Sequence, residues 1–245
     1  MGTLYVVATP IGNLGDITIR AIKILQTVDA IACEDTRKTG LLVGKMGDMY
    51  NKLVYCTVEE KTDKARLISY YEQNEAQRIP EIINALKNGL SIALVSDAGT
   101  PTISDPGFKL VREAIREGVK VESIPGASSV TSSLVSSGLP TDKFLFLGYP
   151  PRKPGHRMKF FQNITPILDS VGVTVILFES PHRLFRTLGE LKEVFGDIDI
   201  VICRELTKIH EEIRREKLSR SIGHFSKTSP KGEFVILFNL SNQND

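Results

Sequence analysis

Apolar runs of strand length alternate with amphipathic stretches through the first half of the chain. Residues 4–8 (LYVVA) form one run, and the stretch after it sets Ile17, Ala21, Ile24, Leu25 and Val28 at helical spacing. Residues 29–33 (DAIAC) read as a second strand. Residues 80–89 have proline where a helix can begin and glycine just past its end, so the pattern predicts a helix starting at Pro80. A strand over 91–95, a helix over 105–118 stopped by Gly118, and a strand over 119–124 follow. Strands alternating with helices of this length predict a parallel sheet covered on both faces. Past residues 138–142 the texture changes: 144–148, 173–179, 197–205 and 232–240 read as strands, with a helix over 181–195. The fold class is α/β, in two domains, residues 1–124 and 125–245, with a frayed tail at the end.

Three of the strands run into loops of small and turn-forming residues: ATPIGNLGD (8–16), SDAGTPTISDPG (96–107) and IPGASSVTSS (124–133). In an open parallel sheet, ligands sit outside the carboxyl ends of the strands. These loops are therefore predicted to gather at one edge. Any one of them is also what plain turn chemistry produces; their coincidence points to a ligand. Gly12 and Gly15 do not make G-x-G-x-x-G, and no Walker pattern exists in the chain, which excludes the usual nucleotide fingerprints. The loops hold no Lys or Arg, so a triphosphate is a poor match. A zwitterion such as S-adenosylmethionine fits: carbonyls and carboxylates suit its positive centres, and amides at a helix start suit its carboxylate. A sugar or a neutral nucleoside fits as well.

Composition narrows this only slightly. Of 245 residues, 41% are hydrophobic and 24% charged, ordinary globular usage. The cysteines Cys33, Cys56 and Cys203 stand far apart, which argues against a zinc ribbon or a disulfide framework and for a reduced, cytoplasmic setting. No signal-type N-terminus and no apolar run of membrane-spanning length is present, so no membrane partner is expected. The formal net charge is +2, but from residue 151 onward fifteen basic residues face twelve acidic ones. That excess is local: Arg152, Lys153, Arg157 and Lys159 stand without an acid among them, and Arg186, Arg214, Arg215, Lys217 and Arg220 add to it. Such clusters meet phosphates. The four in the proline-containing stretch after a strand end are predicted to contact RNA.

The segments YVVATPIGNLGDIT (5–18), ACEDTRKTGLL (32–42), LVSDAGTPTISDPG (94–107), IPGASSVTSSLVSSGLP (124–140), FLFLGYPPRK (144–153), ILFESPHRL (176–184), CRELTKIHEE (203–212) and KGEFVIL (231–237) run through almost the whole chain. In this order they resemble the tetrapyrrole methylase superfamily. The likeness is to its branch that methylates a cytidine ribose 2′-oxygen in small-subunit ribosomal RNA. Where other members carry a G-x-G-P-G loop and a Gly-Asp-Pro loop, this chain has ATPIGN and DAGTP, substitutions of the RNA-methylating branch. The resemblance implies S-adenosylmethionine as donor, in a cleft between the two α/β domains. It places Thr9, Pro10, Gly12, Asn13, Asp97, Ala98, Gly99, Thr100, Ser128 and Ser129 on the donor from the first part of the chain. From the second part it adds Phe178, Glu179, Lys231 and Gly232. It also implies a homodimer acting on ribosomal RNA or the small ribosomal subunit.

Methyl transfer to a ribose hydroxyl needs the reactants aligned, worth ~7–11 kcal/mol, and an acceptor for the hydroxyl proton. Asp35, Glu179, Glu205, His182 and His210 are the candidates. Asp35 and Glu179 each end a predicted strand at the ligand edge, and Asp35 is the first choice as base, with Arg37 holding it or binding a phosphate. No metal-ligand spacing appears, so no catalytic metal is expected. The alternatives are a methylase of a small tetrapyrrole or cobalamin precursor, and a non-catalytic RNA-binding protein of ribosome assembly. The basic stretch at 149–159 disfavours the first; the intact SDAGTP, GASS and KGEF elements disfavour the second.

Overall fold

Two five-stranded sheets organise the chain. The computed structural model describes residues 1–53 and 65–241, so Cys56 lies outside the described residues. The chain divides into two compact units, Met1–Ser128 and Ser129–Asp245.

The first unit holds β1 (Thr3–Val7), β2 (Ala30–Cys33), β3 (Arg66–Ser69), β4 (Ile92–Leu94) and β5 (Lys120–Ile124), in the order β3-β2-β4-β1-β5. Every pairing is parallel, as the alternation predicts. Four helices join them: α1 (Ile19–Thr27), α2 (Thr36–Leu53), α3 (Glu75–Lys87) and α4 (Phe108–Arg116). Strand periodicity splits the core in two. Leu4, Ala32, Ile68, Ile92 and Leu94 pack with Ile82, Leu86, Leu110 and Ala114 of α3 and α4. Val7, Ile31, Cys33, Ala93 and Ile124 pack with Ala21 and Leu25 of α1. Local chemistry fixes the helix ends: the Thr18 hydroxyl accepts the Ala21 N–H at 3.1 Å to open α1. Gly107, at φ 131°, opens α4 where a Cβ would come 2.7 Å from Leu94 Cδ2.

The helix expected from Pro80 begins instead at Glu75, with Pro80 inside it. Asn74 sets the earlier start. Its side-chain oxygen accepts the Tyr71 N–H at 2.8 Å and its amide donates to the Ser69 carbonyl at 3.1 Å, so the entry turn is wired before the proline. The N–H that proline lacks costs one bond of the second turn, offset by burial of Ile82, Ile83 and Leu86.

The second unit holds β6 (Phe144–Phe146), β7 (Thr174–Glu179), β8 (Asp199–Arg204), β9 (Glu212–Lys217) and β10 (Phe234–Phe238), ordered β6-β7-β10-β8-β9. β6 and β7 pair in parallel; the other pairings are antiparallel. Helices α6 (Pro154–Val171), α7 (Pro181–Phe195) and α8 (Leu218–Lys227) cover one face with Phe161, Leu168, Leu184, Leu188, Leu191 and Leu218. Helix α5 (Ser129–Ser137) packs against β10.

Helix α5 replaces the second half of a segment that composition marks as loop. Its apolar stripe is thinned by serines, yet Val130, Ser133, Leu134 and Ser137 are buried at helical spacing. The Ser133 and Ser137 hydroxyls bond back to the Val130 and Leu134 carbonyls at 3.0 and 2.7 Å, so burying them leaves no unmet polar group. The proline-containing basic loop ends at Lys153, and Pro154 takes the first position of α6, which its fixed φ favours. Strand β9 is carried by charge rather than apolar alternation. Lys217 lies opposite Asp199 and Arg204 opposite Glu212 in register with β8, with ion pairs at 2.8 and 3.5 Å. Arg214 lies between Glu212 and Glu216 at 3.0 and 2.8 Å, and Arg215 donates to the Ser137 carbonyl at 3.1 Å. Arg214 and Lys217, grouped by sequence as phosphate-seeking, are thus paired with acids of the same unit, whereas exposed Arg215 meets backbone carbonyls. Among the described residues no helix is long and apolar enough to cross a membrane.

Candidate functional site

At the carboxyl edge of the first sheet, the loops after β1, β4 and β5 lock together. Strands β4, β1 and β5 are neighbours, so their exits are adjacent. Thr9 and Gly99 form an isolated bridge: Thr9 N–H donates to the Gly99 carbonyl at 2.8 Å, and Gly99 N–H to the Thr9 carbonyl at 3.1 Å. The buried Thr9 hydroxyl lies 3.3 Å from the Ser96 carbonyl and donates to it. Thr100 Oγ1 donates to the Ala127 carbonyl at 3.2 Å, tying the second loop to the third. Gly99 sits at φ 84°, where a Cβ would lie 3.2 Å from Ile11 Cγ2; at Gly126 one would lie 3.0 Å from the Ala8 Cβ. The positive φ favours glycine at Gly99, and at Gly126 a side chain would crowd Ala8. Pro10 is buried, whereas Gly12, Asn13, Asp97 and Ala98 are exposed. Asn13 accepts the Gly15 N–H at 2.9 Å to start a 3-10 turn over Leu14–Asp16. Ser128 closes the third loop, and α5 starts at Ser129.

The same edge carries a charge cluster that the loop composition does not announce. Lys38, from the first turn of α2, reaches Asp97 Oδ2 at 2.5 Å. Glu34, at the end of β2, accepts the Asp97 N–H at 3.3 Å. Burial raises the proton affinity of Glu34, and the nearby charge of Asp97 adds to this, against the Asp97 N–H and Lys38. Asp35 is treated oppositely. Its Oδ1 accepts the N–H groups of Arg37 and Lys38 at 2.9 and 3.4 Å, capping α2, while the Arg37 guanidinium grips both oxygens at 3.2 and 3.0 Å. Hydrogen bonding to the Arg37 side chain, then its backbone, holds the Asp35 carboxyl at about 2. Asp35 is thus ionised at any working pH and a weak proton acceptor. Neither Glu34 nor Lys38 was singled out by sequence. Lys38 lies one residue past Arg37, a position that only the helix turns toward the second loop.

Among the second unit's candidates, Glu179 serves the interior. Glu179 is fully buried at the end of β7. Its oxygens accept the Ser180 N–H at 2.7 Å, the Thr187 hydroxyl at 2.6 Å and Arg183 Nη2 at 3.0 Å. Its carboxylate is spent on anchoring α7, which corrects the expectation that it takes a substrate proton. Phe178 is half-buried and meets Phe146 and Tyr149 edge-on, with centroids 4.8 and 5.6 Å apart. Gly232, at φ 95°, stands where a Cβ would come 2.5 Å from Glu205 Cγ, and the Lys231 carbonyl accepts Arg204 Nε at 2.7 Å. Glu205, a base candidate, accepts the Glu233 N–H at 2.9 Å and Lys208 at 3.0 Å. Burial would raise its pKa, but these two bonds, with the charges of Lys208 and Arg204, lower it. His182 and His210 are exposed.

Of the basic residues near 152–159, Arg152, Lys153 and Lys159 are exposed and Arg157 is not. Arg157 is 1% exposed and gives Nε and Nη2 to Glu190 at 2.5 and 2.7 Å. The expectation that it contacts RNA is corrected: helix α6 turns it inward, onto an acid of α7 thirty-three residues away. Among the described residues no group of three His, Cys, Asp or Glu is placed to hold a metal.

Residues 3–221 match the family model of the tetrapyrrole (corrin/porphyrin) methylases. The chain is 44% identical to the ribosomal RNA small subunit methyltransferase I of Thermotoga maritima, over 97% of this chain and 98% of that one. It is 44% identical to the protein of that name from Hydrogenobaculum, over 98% and 96%. In structure it is similar to the uroporphyrin-III C-methyl transferase of Thermus thermophilus complexed with S-adenosylhomocysteine. There the TM-score is 0.62, with 16% identity over 98% of this chain and 99% of that one. The chain belongs to the tetrapyrrole methylase family, in the group whose members carry the name ribosomal RNA small subunit methyltransferase I.

Proposed function

We propose that this protein is an S-adenosylmethionine-dependent methyltransferase acting on the 2′-oxygen of a cytidine ribose in small-subunit ribosomal RNA. The interlocked edge formed by Thr9, Gly99, Thr100 and Ala127 carries this reading, in a chain whose near-full-length relatives bear that name. The edge fits the donor. It is built from main-chain groups and small hydroxyls, with Gly99 and Gly126 at its tight crossings. Lys38 is paired with Asp97 and Arg37 with Asp35, so each of these two cations of the edge has a carboxylate partner.

When bound, S-adenosylmethionine supplies a methyl group activated by positive sulfur. The chain's own residues hold and align. The stitched loops fix the edge, and Lys38 holds the Asp97 carboxylate in one direction. The hydroxyl proton goes to Glu34, the carboxylate of that edge whose proton affinity is raised, while Asp35 and Arg37 fix the start of α2. Arg152, Lys153 and Lys159 meet RNA phosphates, and Arg37, 89% exposed at its side chain, offers a further contact. Family resemblance extends the reading to a homodimer in the cytoplasm.

Incubation with labelled donor and either small ribosomal subunits, naked ribosomal RNA or a tetrapyrrole tests the function. Label at a cytidine 2′-oxygen is expected; label only in the tetrapyrrole overturns the reading. For the donor edge, Gly99→Val puts a branched side chain at φ 84° against Ile11. Strain of ~1–3 kcal/mol is expected to weaken donor affinity about 5- to 150-fold by calorimetry. Unchanged affinity in the folded variant removes this loop from the site.

A further inference from the structure

Helices α6 and α7 pack against each other, and each exposes basic side chains near residues 153–159 and 182–186. On α7, His182, Phe185 and Arg186 stand at positions i, i+3 and i+4, so they share a face, and all three are exposed. Phe185 is 48% exposed, a large ring at the surface between two basic side chains. Around the start of α6, Lys153, His156 and Lys159 are exposed in the same way. Buried ion pairs hold the first turn of α6 and the loop before it onto α7. Arg157 joins α6 to Glu190 of α7. Arg183, gripped by Glu179, donates to the Pro150 carbonyl at 2.7 Å and so fastens the loop before α6 onto α7. These pairs turn the acids Glu179 and Glu190 inward, and the exposed charged side chains at 152–159 and 182–186 are all basic.

We propose that this two-helix face binds single-stranded RNA, with Phe185 stacking on an unpaired base while Lys153, Lys159 and Arg186 meet the flanking phosphates. The proposal rests on the reading of an RNA methyltransferase and adds to it the surface and the strandedness. Charge selects a polyanion, and the exposed ring selects one whose base faces are open, which a duplex hides. Because the backbone beneath is pinned, the face meets RNA preorganised, at little ordering cost.

The test is fluorescence anisotropy on a labelled single-stranded oligonucleotide from small-subunit ribosomal RNA, across a salt series, with a duplex of the same sequence beside it. Phe185→Ala is expected to weaken single-strand binding about 5- to 150-fold with the salt slope unchanged, and Phe185→Tyr to keep most of the affinity. Arg186→Gln is expected to flatten the single-strand slope by about 0.7. Duplex binding should not respond to Phe185→Ala. Single-strand binding within twofold of the parent for Phe185→Ala, or an equal loss on the duplex, overturns the stacking role. If the parent methylates small subunits while every variant binds like the parent, this surface is wrong and the enzymatic reading stands. A parent that neither binds RNA nor transfers label to it overturns both.

Discussion

Replacing Arg157 with glutamine is expected to cost about 3–5 kcal/mol of stability, because removing one member of a buried ion pair strands the other. For a chain of this size that lowers the thermal midpoint by roughly 6–20 °C. The guanidinium gives Nε and Nη2 to the Glu190 oxygens, and Nη1 lies 3.4 and 3.5 Å from the Pro151 and Arg152 carbonyls. Glutamine cannot span those partners, and Glu190, itself only 13% exposed, keeps its charge without a counterion. Arg152→Gln and Lys159→Gln, at exposed positions, should each stay within about 0.5 kcal/mol of the parent while weakening RNA binding. Replacing both members, as Arg157→Met with Glu190→Leu, is expected to recover most of the loss, since the pair's gain is largely offset by its desolvation. If Arg157→Gln leaves the midpoint unchanged but flattens the salt dependence of RNA binding, Arg157 reaches the RNA and the buried pairing is not its role.

Arg157 also marks where the amino-acid sequence stops being legible. Four basic residues within eight positions look alike in a linear reading, and only the turn of a helix separates the inward one from its neighbours. Four parallel strands of the first unit are readable because burial forces near-continuous apolar runs such as SIALV, whereas β3, the partly exposed edge strand RLIS, is not. The three loops are readable because close crossings, at Gly99 with its positive φ and at Gly126 against Ala8, concentrate small residues there. Elements whose burial is met by hydrogen bonds or charge were not. Helix α5 hides two serines in its buried face, and strand β9 is held by Lys217–Asp199 and its neighbours. Lys38 and Glu34 join Asp97 across 59 and 63 residues, a juxtaposition set by strand order and invisible to spacing along the chain.

Glu34→Gln is expected to slow single-turnover methylation by ~10²–10⁴-fold, the span of positioned general bases, with both ligands still bound. Asp35→Asn should stay within a few-fold, because asparagine caps a helix as well as aspartate and a carboxyl held at about 2 gives little driving force for taking a proton. The pH profile separates the two carboxylates. Glu34 accepts a proton only when ionised, and burial lifts its pKa above 4.5. The parent rate should therefore rise as pH climbs through that raised value and then level off. Glu34→Gln should remove the inflection, and Asp35→Asn should leave it. The groups facing Glu34 set its position: Asp97 raises it, and the Asp97 N–H and Lys38 lower it. Lys38→Gln removes one lowering charge, so the inflection should move to higher pH, a shift that a merely structural lysine would not produce. A Glu34→Gln rate within a few-fold of the parent would mean that alignment does the work and water takes the proton. A loss confined to Asp35→Asn would return the role of base to Asp35.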